Sequence, residues 1–71
     1  MTQAERVLEH MSKYGSITSL EAIKEYGILR LASRISDLRR NGYQIDSKMD
    51  YVVNRYGEKC RIKRYAIKKD V

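Results

Sequence analysis

The sequence has no proline, tryptophan or phenylalanine, and its only cysteine is Cys60. A single cysteine excludes an internal disulfide, and the absence of a secretory signal pattern predicts a reducing, cytoplasmic location. No apolar run approaches the roughly 20 residues that a membrane-spanning helix needs, so no membrane partner is expected. The lack of proline, together with 42% hydrophobic residues, predicts a folded chain rather than a disordered one.

Residues that carry enzyme chemistry are few and poorly spaced. Cys60 has no second cysteine or histidine at a metal-ligand spacing, so we expect no metal and interpret it as a half-buried strand thiol. The carboxylates Asp37, Asp46 and Asp50 form no acid–base spacing, and no glycine-rich phosphate loop is present. His10 stands alone and is expected on the solvated side of a helix. We therefore predict no enzyme activity, no cofactor and no small-molecule substrate.

The chain is short and strongly basic. Its 71 residues suffice for one domain, and 15 Lys and Arg against nine Asp and Glu give a formal charge of +6. Residues 1–47 contain seven basic and six acidic residues, whereas residues 48–71 contain eight basic and three acidic residues. The positive charge is therefore concentrated near the C-terminus. A field of this strength suits a polyanionic partner, with nucleic acid as the first candidate.

The first part of the chain predicts three helices, over about residues 3–14, 19–26 and 29–41. The first two open with capping boxes at Thr2 and Thr18, and apolar residues recur at helical spacing in all three. A glycine follows each helix and provides a C-terminal stop. The apolar positions of the helices and strands predict a core that comprises Val7, Leu8, Met11, Leu20, Ile23, Ile28, Leu31, Ile35, Leu38, Ile45, Tyr65 and Ile67.

The last part of the chain predicts a β-hairpin wing over about residues 43–68, because the hydrophobic period changes to two. The first strand is expected to break near 48–50, residues 54–59 to form the connection, and 60–68 to form the second strand. A short strand near residues 16–17 is expected to extend the sheet. Three helices followed by a basic two-stranded wing is the plan of a winged helix-turn-helix, an α+β fold.

The second and third predicted helices, joined at Gly27, have the helix-turn-helix arrangement, whose second helix lies in the major groove of DNA. Arginine can donate two hydrogen bonds to guanine, and serine can bond to a base or a phosphate. The predicted contacts of this helix are Arg30, Ser33, Arg34 and Asp37. Arg39 and Arg40 are expected to meet phosphates or Asp46. The structural alternative is a plain three-helix bundle with a solvated charged face.

The predicted wing is expected to contact phosphates or the minor groove through Arg55, Lys59, Arg61 and Lys63. Alternation along the strand places Arg61 and Lys63 on the same face as Tyr65. The structural alternative is that these cations protect an exposed edge strand against aggregation. Their coincidence with a helix-turn-helix pattern favours DNA.

The segment 17–45, ITSLEAIKEYGILRLASRISDLRRNGYQI, resembles a family of small helix-turn-helix proteins common in phages, prophages and other bacterial mobile elements. The shared features are the TSLEA helix start, the YGI turn, the RLASRISDLR helix and the NGY exit. The resemblance implies a winged-helix fold and binding to double-stranded DNA. Relatives of this kind look like repressors, activators, excisionase-like architectural factors or accessory proteins. Among these roles we expect a transcriptional regulator or an excisionase-like architectural factor, associated with the nucleoid of a bacterial or phage-infected cell.

Two other classes of function stay open at this point. A protein-interaction winged helix would dock an acidic partner on its basic surface. An RNA or single-strand binder would use Tyr51 and Tyr56. A monomer offers few base contacts, so high specificity would need a homodimer or several copies on the DNA, and no dimerisation helix is evident.

Overall fold

The computed structural model describes residues 1–68. The elements are, in chain order, α1 (Gln3–Tyr14), β1 (Ile17–Thr18), α2 (Ser19–Tyr26), α3 (Leu31–Arg40), β2 (Ile45–Val53) and β3 (Lys59–Ile67). Three helices followed by a two-stranded hairpin confirm the predicted α+β fold class. The short strand β1 lies close to the position expected from the sequence and completes a three-stranded antiparallel sheet in the order β1-β3-β2.

Local sequence signals determine where α1 and α2 begin and end. Both helices have reciprocal capping boxes, with Thr18 Oγ1 accepting from the Glu21 amide (3.2 Å) and Glu21 Oε1 accepting from the Thr18 amide (2.8 Å) in α2. The helix α2 then stops at Gly27, whose φ of 66° lies in the left-handed region that glycine adopts without a steric penalty. The capping box and the glycine therefore fix where the short helix that precedes α3 begins and ends.

The third helix is shorter than predicted, because it begins at Leu31 rather than at residue 29 and ends at Arg40. Ile28 is buried, and its amide donates to the carbonyl oxygen of Ala22 (3.0 Å), so the chain is still tied to α2 at this point. Arg30 is the residue before the first helical turn, with φ −116° and ψ 60° and no side-chain cap bond. The turn therefore includes Leu29 and Arg30, which sequence periodicity had assigned to the helix.

The hairpin is more regular than predicted. Its register runs without interruption from Ile45 opposite Ile67 to Val53 opposite Lys59, so the predicted break at residues 48–50 is wrong. Both faces of the hairpin are largely exposed beyond the core, so the strand continues there without an alternating apolar pattern. The connection spans residues 54–58, where Asn54 Oδ1 accepts from the amides two and four residues on.

The core lies between the helices and the proximal half of the sheet. Its buried members are Val7, Met11, Ile17, Ala22, Ile28, Leu31, Ile35, Leu38, Ile45 and Tyr65, with Leu8 and Ile67 packed against them. The prediction that Leu20 and Ile23 are core residues is wrong, because both are exposed. Ala22 and Tyr26 form the inward face of α2 instead. Ile17 was missed because an isolated apolar residue in a two-residue strand has no periodicity.

His10 and Cys60 also differ from the sequence-based expectation. His10 is 5% exposed rather than solvated, because Tyr26 at the end of α2 brings its hydroxyl to 2.7 Å from His10 Nδ1. The other ring nitrogen, Nε2, is buried without a hydrogen-bond partner in the described part of the chain. Cys60 is exposed rather than half-buried, since it lies in the outer part of the hairpin, beyond the core.

The His10–Tyr26 contact predicts the effect of removing one hydroxyl. In Tyr26→Phe both imidazole nitrogens are left buried without a partner, which is expected to lower the free energy of unfolding by about 1–3 kcal/mol. Urea denaturation followed by circular dichroism measures this loss. Tyr14→Phe is the matched control, because Tyr14 is exposed and its hydroxyl makes no hydrogen bond within residues 1–68. Equal losses in the two variants would contradict the assignment.

Candidate nucleic-acid interface

The basic residues of β3 project from one face of the hairpin. Lys59, Arg61 and Lys63 are exposed and alternate along the strand. Successive side chains of a strand point to opposite faces, so these three share the face on which Tyr65 packs into the core. The wing cations therefore extend the side of the sheet that carries the helices.

Each of these cations has an exposed apolar neighbour on β2. The antiparallel register places Val53 opposite Lys59, Tyr51 opposite Arg61 and Met49 opposite Lys63. All three β2 side chains are more than half exposed. The wing thus presents a row of positive charge beside a row of apolar surface.

A groove of about 480 Å³ joins the wing to the start of α3. Its lining includes Ser19, Leu29, Arg30, Ser33, Arg61 and Lys63. Within residues 1–68 the salt bridges involve other cations, so Arg30, Arg61 and Lys63 keep their charges available to a ligand. Two elements distant in sequence therefore form one concave, positively charged surface.

Residues 2–70 match the family described as Winged helix-turn-helix domain. The chain belongs to this family. No curated protein and no solved structure matches it. The winged helix-turn-helix is a DNA-binding fold in general. By the order of the elements, α2 and α3 correspond to its helix-turn-helix, with α3 in the position of the recognition helix, and β2 and β3 correspond to its wing.

Arg34 and Asp37, also predicted as recognition-helix contacts, lie on another flank of the winged helix-turn-helix domain. Arg34 Nη2 lies 3.4 Å from Asp37 Oδ2, and Arg34 Nε is buried without a partner in the described residues. The two side chains line a second groove with Thr2 and Gln3 at the start of α1. Arg34 also borders Leu29 and Arg30, but neither it nor Asp37 reaches the groove beside the wing.

The two arginines at the end of the recognition helix have different environments. Arg39 donates from Nη2 (2.7 Å) and Nε (3.2 Å) to the carbonyl oxygen of Ile45, rather than to the carboxylate of Asp46 that the sequence suggested. It thereby ties the end of α3 to the start of β2. Arg40 is largely exposed, and its nearest carboxylate, Asp37, is 3.9 Å away. Arg40 is thus the freer of the two to meet a phosphate.

Arg64 is the basic residue of the wing that has a structural role. Its Nε donates to Asp50 Oδ2 (3.1 Å), and its Nη1 donates to Ser16 Oγ (3.0 Å) and lies 3.7 Å from Glu21 Oε1. The Tyr51 amide and this guanidinium hold the pKa of Asp50 below its usual range. Arg64 alternates with Arg61 and Lys63 and so belongs to the opposite face of β3. This network fixes the wing against β1 and α2.

Three further residues of this part of the molecule are exposed. Arg55 was predicted from the sequence, whereas Ser36 and Leu29 were not. Arg55 lies in the exposed turn at the tip of the wing. Ser36 lies three residues after Ser33 on the exposed side of α3, and a helical wheel would have placed it there. Leu29 borders both the wing groove and the groove shared with Arg34. Its exposed position depends on the true start of α3, which the sequence pattern did not reveal.

No helix within residues 1–68 has both the length and the apolar character needed to cross a membrane. The same part of the chain has no group of three or more His, Cys, Asp or Glu side chains placed to hold a metal ion.

Proposed function

We propose that this protein binds double-stranded DNA with α3 in the major groove and the β2–β3 wing on phosphates or in the minor groove. The observation that carries the proposal is the groove that places Arg30 and Ser33 beside Arg61 and Lys63. In biological terms the protein acts as a transcriptional regulator or an excisionase-like architectural factor. The resemblance to phage and mobile-element proteins supports this role.

The chemistry of the groove matches the two components of a duplex. Arg30, at the N-terminal end of α3, has a guanidinium free to donate two hydrogen bonds to guanine O6 and N7, and Ser33 can bond to a base or a phosphate. The wing row of Lys59, Arg61 and Lys63 has the spacing of a strand and the charge to follow a phosphate backbone. Recognition of bases and attraction to phosphates are therefore assigned to different elements.

The other residues predicted to contact DNA differ in whether their side chains already bind another group of the protein. Arg55 is exposed and has no ion pair within residues 1–68, and Arg40 is exposed with only a 3.9 Å approach to Asp37, so both are assigned to phosphates. Arg39 retains exposed surface but is bonded to a backbone carbonyl, and Arg34 is paired with Asp37. For Arg39 or Arg34 to contact DNA, its existing interaction within the protein would first have to break. Arg30 and the wing row are accordingly the principal binding groups of the proposal.

Selection of bound duplexes from a random pool, repeated at two salt concentrations, tests the proposal. We expect enrichment of a short duplex motif, occurring singly for a monomer or in pairs for a homodimer or several copies on the DNA. Competition with single-stranded DNA and RNA of the enriched sequence then separates the rival classes. No duplex binding at about 50 mM salt would contradict the proposal and favour an acidic protein partner. Preference for single strands would favour stacking of bases on Tyr51 and Tyr56.

The wing row predicts a change in salt dependence. Lys63→Ala is expected to weaken binding to all duplexes alike and to reduce the slope of log Kd against log salt by about one, because one phosphate contact is lost. Fluorescence anisotropy over a salt series measures the slope. Lys48→Ala is the matched control, because Lys48 is an exposed lysine opposite Arg64, on the other face of the hairpin. Equal slope changes in the two variants would remove the wing face from the interface.

A further inference from the structure

Leu29 is a large apolar residue that the fold leaves exposed. It is 78% exposed in the turn between α2 and α3, while its neighbour Ile28 is buried. Single exposed leucines are common on protein surfaces, so exposure alone has no functional meaning. The position of Leu29 is more informative, because its side chain lines the wing groove beside Arg30, Arg61 and Lys63.

The surroundings of Leu29 restrict what can cover it. Three cations without ion pairs within residues 1–68 line the same groove, so the occupant is a polyanion that also offers an apolar group. The base edges of the major groove are polar except for the C5-methyl group of thymine. Uracil in RNA lacks this methyl group. An apolar side chain among cations at the start of a recognition helix therefore matches a thymine in duplex DNA.

We propose that Leu29 is a specificity-determining residue that contacts the methyl group of a thymine next to the guanine bound by Arg30. This inference rests on the proposed function, because it requires α3 to enter the major groove. Consecutive Cα atoms are about 3.8 Å apart, close to the roughly 3.4 Å between successive bases of one strand. Two adjacent side chains in one groove can thus contact two adjacent base pairs.

Replacement of thymine by deoxyuridine in the selected duplex tests the contact, because it removes one methyl group and retains base pairing. Each thymine is substituted in turn, and Kd is measured by fluorescence anisotropy for the wild-type chain and for Leu29→Ala. With the wild-type chain we expect one position at which deoxyuridine weakens binding about fourfold, as for the loss of one buried methyl group. With Leu29→Ala we expect weaker binding to the thymine duplex and no further loss with deoxyuridine.

Leu20→Ala provides the matched control. Leu20 is also an exposed leucine, but it lies on α2 and does not line the wing groove. We expect it to retain the full discrimination between thymine and deoxyuridine. Since neither leucine is buried, both variants are expected to unfold at the wild-type urea concentration, which circular dichroism verifies.

The possible results separate this inference from the function on which it rests. A thymine-to-deoxyuridine penalty that disappears only in Leu29→Ala supports it. Three results would overturn it while leaving the proposed function intact. They are specific duplex binding without an essential thymine, the absence of a deoxyuridine penalty in the wild-type chain, and a penalty that persists in Leu29→Ala. Absence of any duplex binding overturns both. Equal loss of discrimination in Leu20→Ala also overturns it, since the effect would then not belong to the groove.

Discussion

Replacing Ile17 with alanine is expected to lower the free energy of unfolding by about 2–5 kcal/mol, as for other large-to-small substitutions in a core. Ile17 is fully buried on β1, opposite Tyr65 of the central strand, and β1 also contacts α1 and α2. Its side chain therefore links the helices to the sheet. Stabilities of about 0.05–0.15 kcal/mol per residue imply that this loss is a large part of the total for so short a chain.

Ile23→Ala is the matched control for Ile17→Ala. Both are isoleucines, but Ile23 is 44% exposed on the outward face of α2. We expect its truncation to cost less than about 1 kcal/mol in urea denaturation, because little apolar surface is withdrawn from the core. The sequence pattern placed Ile23 in the core, and it placed Ile17 in a short strand but not in the core. A larger loss for Ile23→Ala would contradict the observed packing of α2.

Replacing Arg30 with alanine is expected to weaken binding to the preferred duplex about 5- to 150-fold, which corresponds to about 1–3 kcal/mol. Arg30 is exposed, makes no ion pair within residues 1–68, and lies where the recognition helix begins. Loss of a bidentate contact to guanine should also relax the preference at one base pair. Parallel selections with the wild-type chain and Arg30→Ala measure both effects.

Arg34→Ala is the informative comparison with Arg30→Ala. Arg34 is paired with Asp37 and faces the start of α1, so its removal is expected to have a smaller effect on affinity and to leave the preferred sequence unchanged. If Arg30→Ala instead weakened binding to all duplex sequences equally, Arg30 would be assigned to a phosphate contact. A larger loss of specificity in Arg34→Ala would show that the ion pair opens on binding and that the assignment of roles is wrong.

The parts of the fold that depend on local signals were accessible from the sequence. The capping boxes at Thr2 and Thr18 placed the starts of α1 and α2, because their hydrogen bonds join residues only three apart. Strand alternation placed Arg61 and Lys63 on the face of Tyr65, and the uninterrupted antiparallel register of β2 and β3 preserves that alternation. The helix-turn-helix pattern likewise follows from short spacings around Gly27. In each case the decisive interactions lie within a few residues of one another.

The errors arose where contacts between distant segments decide the outcome. His10 is buried because Tyr26, sixteen positions later, covers it with a hydroxyl group. The start of α3 depends on Ile28 entering the core, and periodicity alone cannot distinguish a helix from the turn before it. The three-residue spacing of Arg34 and Asp37 on a helix allows the two side chains to pair. That the start of α1 lies beside them can be seen only in the fold.

The central claim is that the start of the recognition helix and the cationic face of the wing form one duplex-binding surface. Titration of an isotope-labelled sample with the selected duplex, followed by backbone amide NMR spectra, tests it residue by residue. The account predicts that signals of Arg30, Ser33, Arg61 and Lys63 shift together, at the same duplex concentration, while those of Leu20 and Ile23 stay in place. Shifts confined to α2, or to the wing without the start of α3, would contradict it.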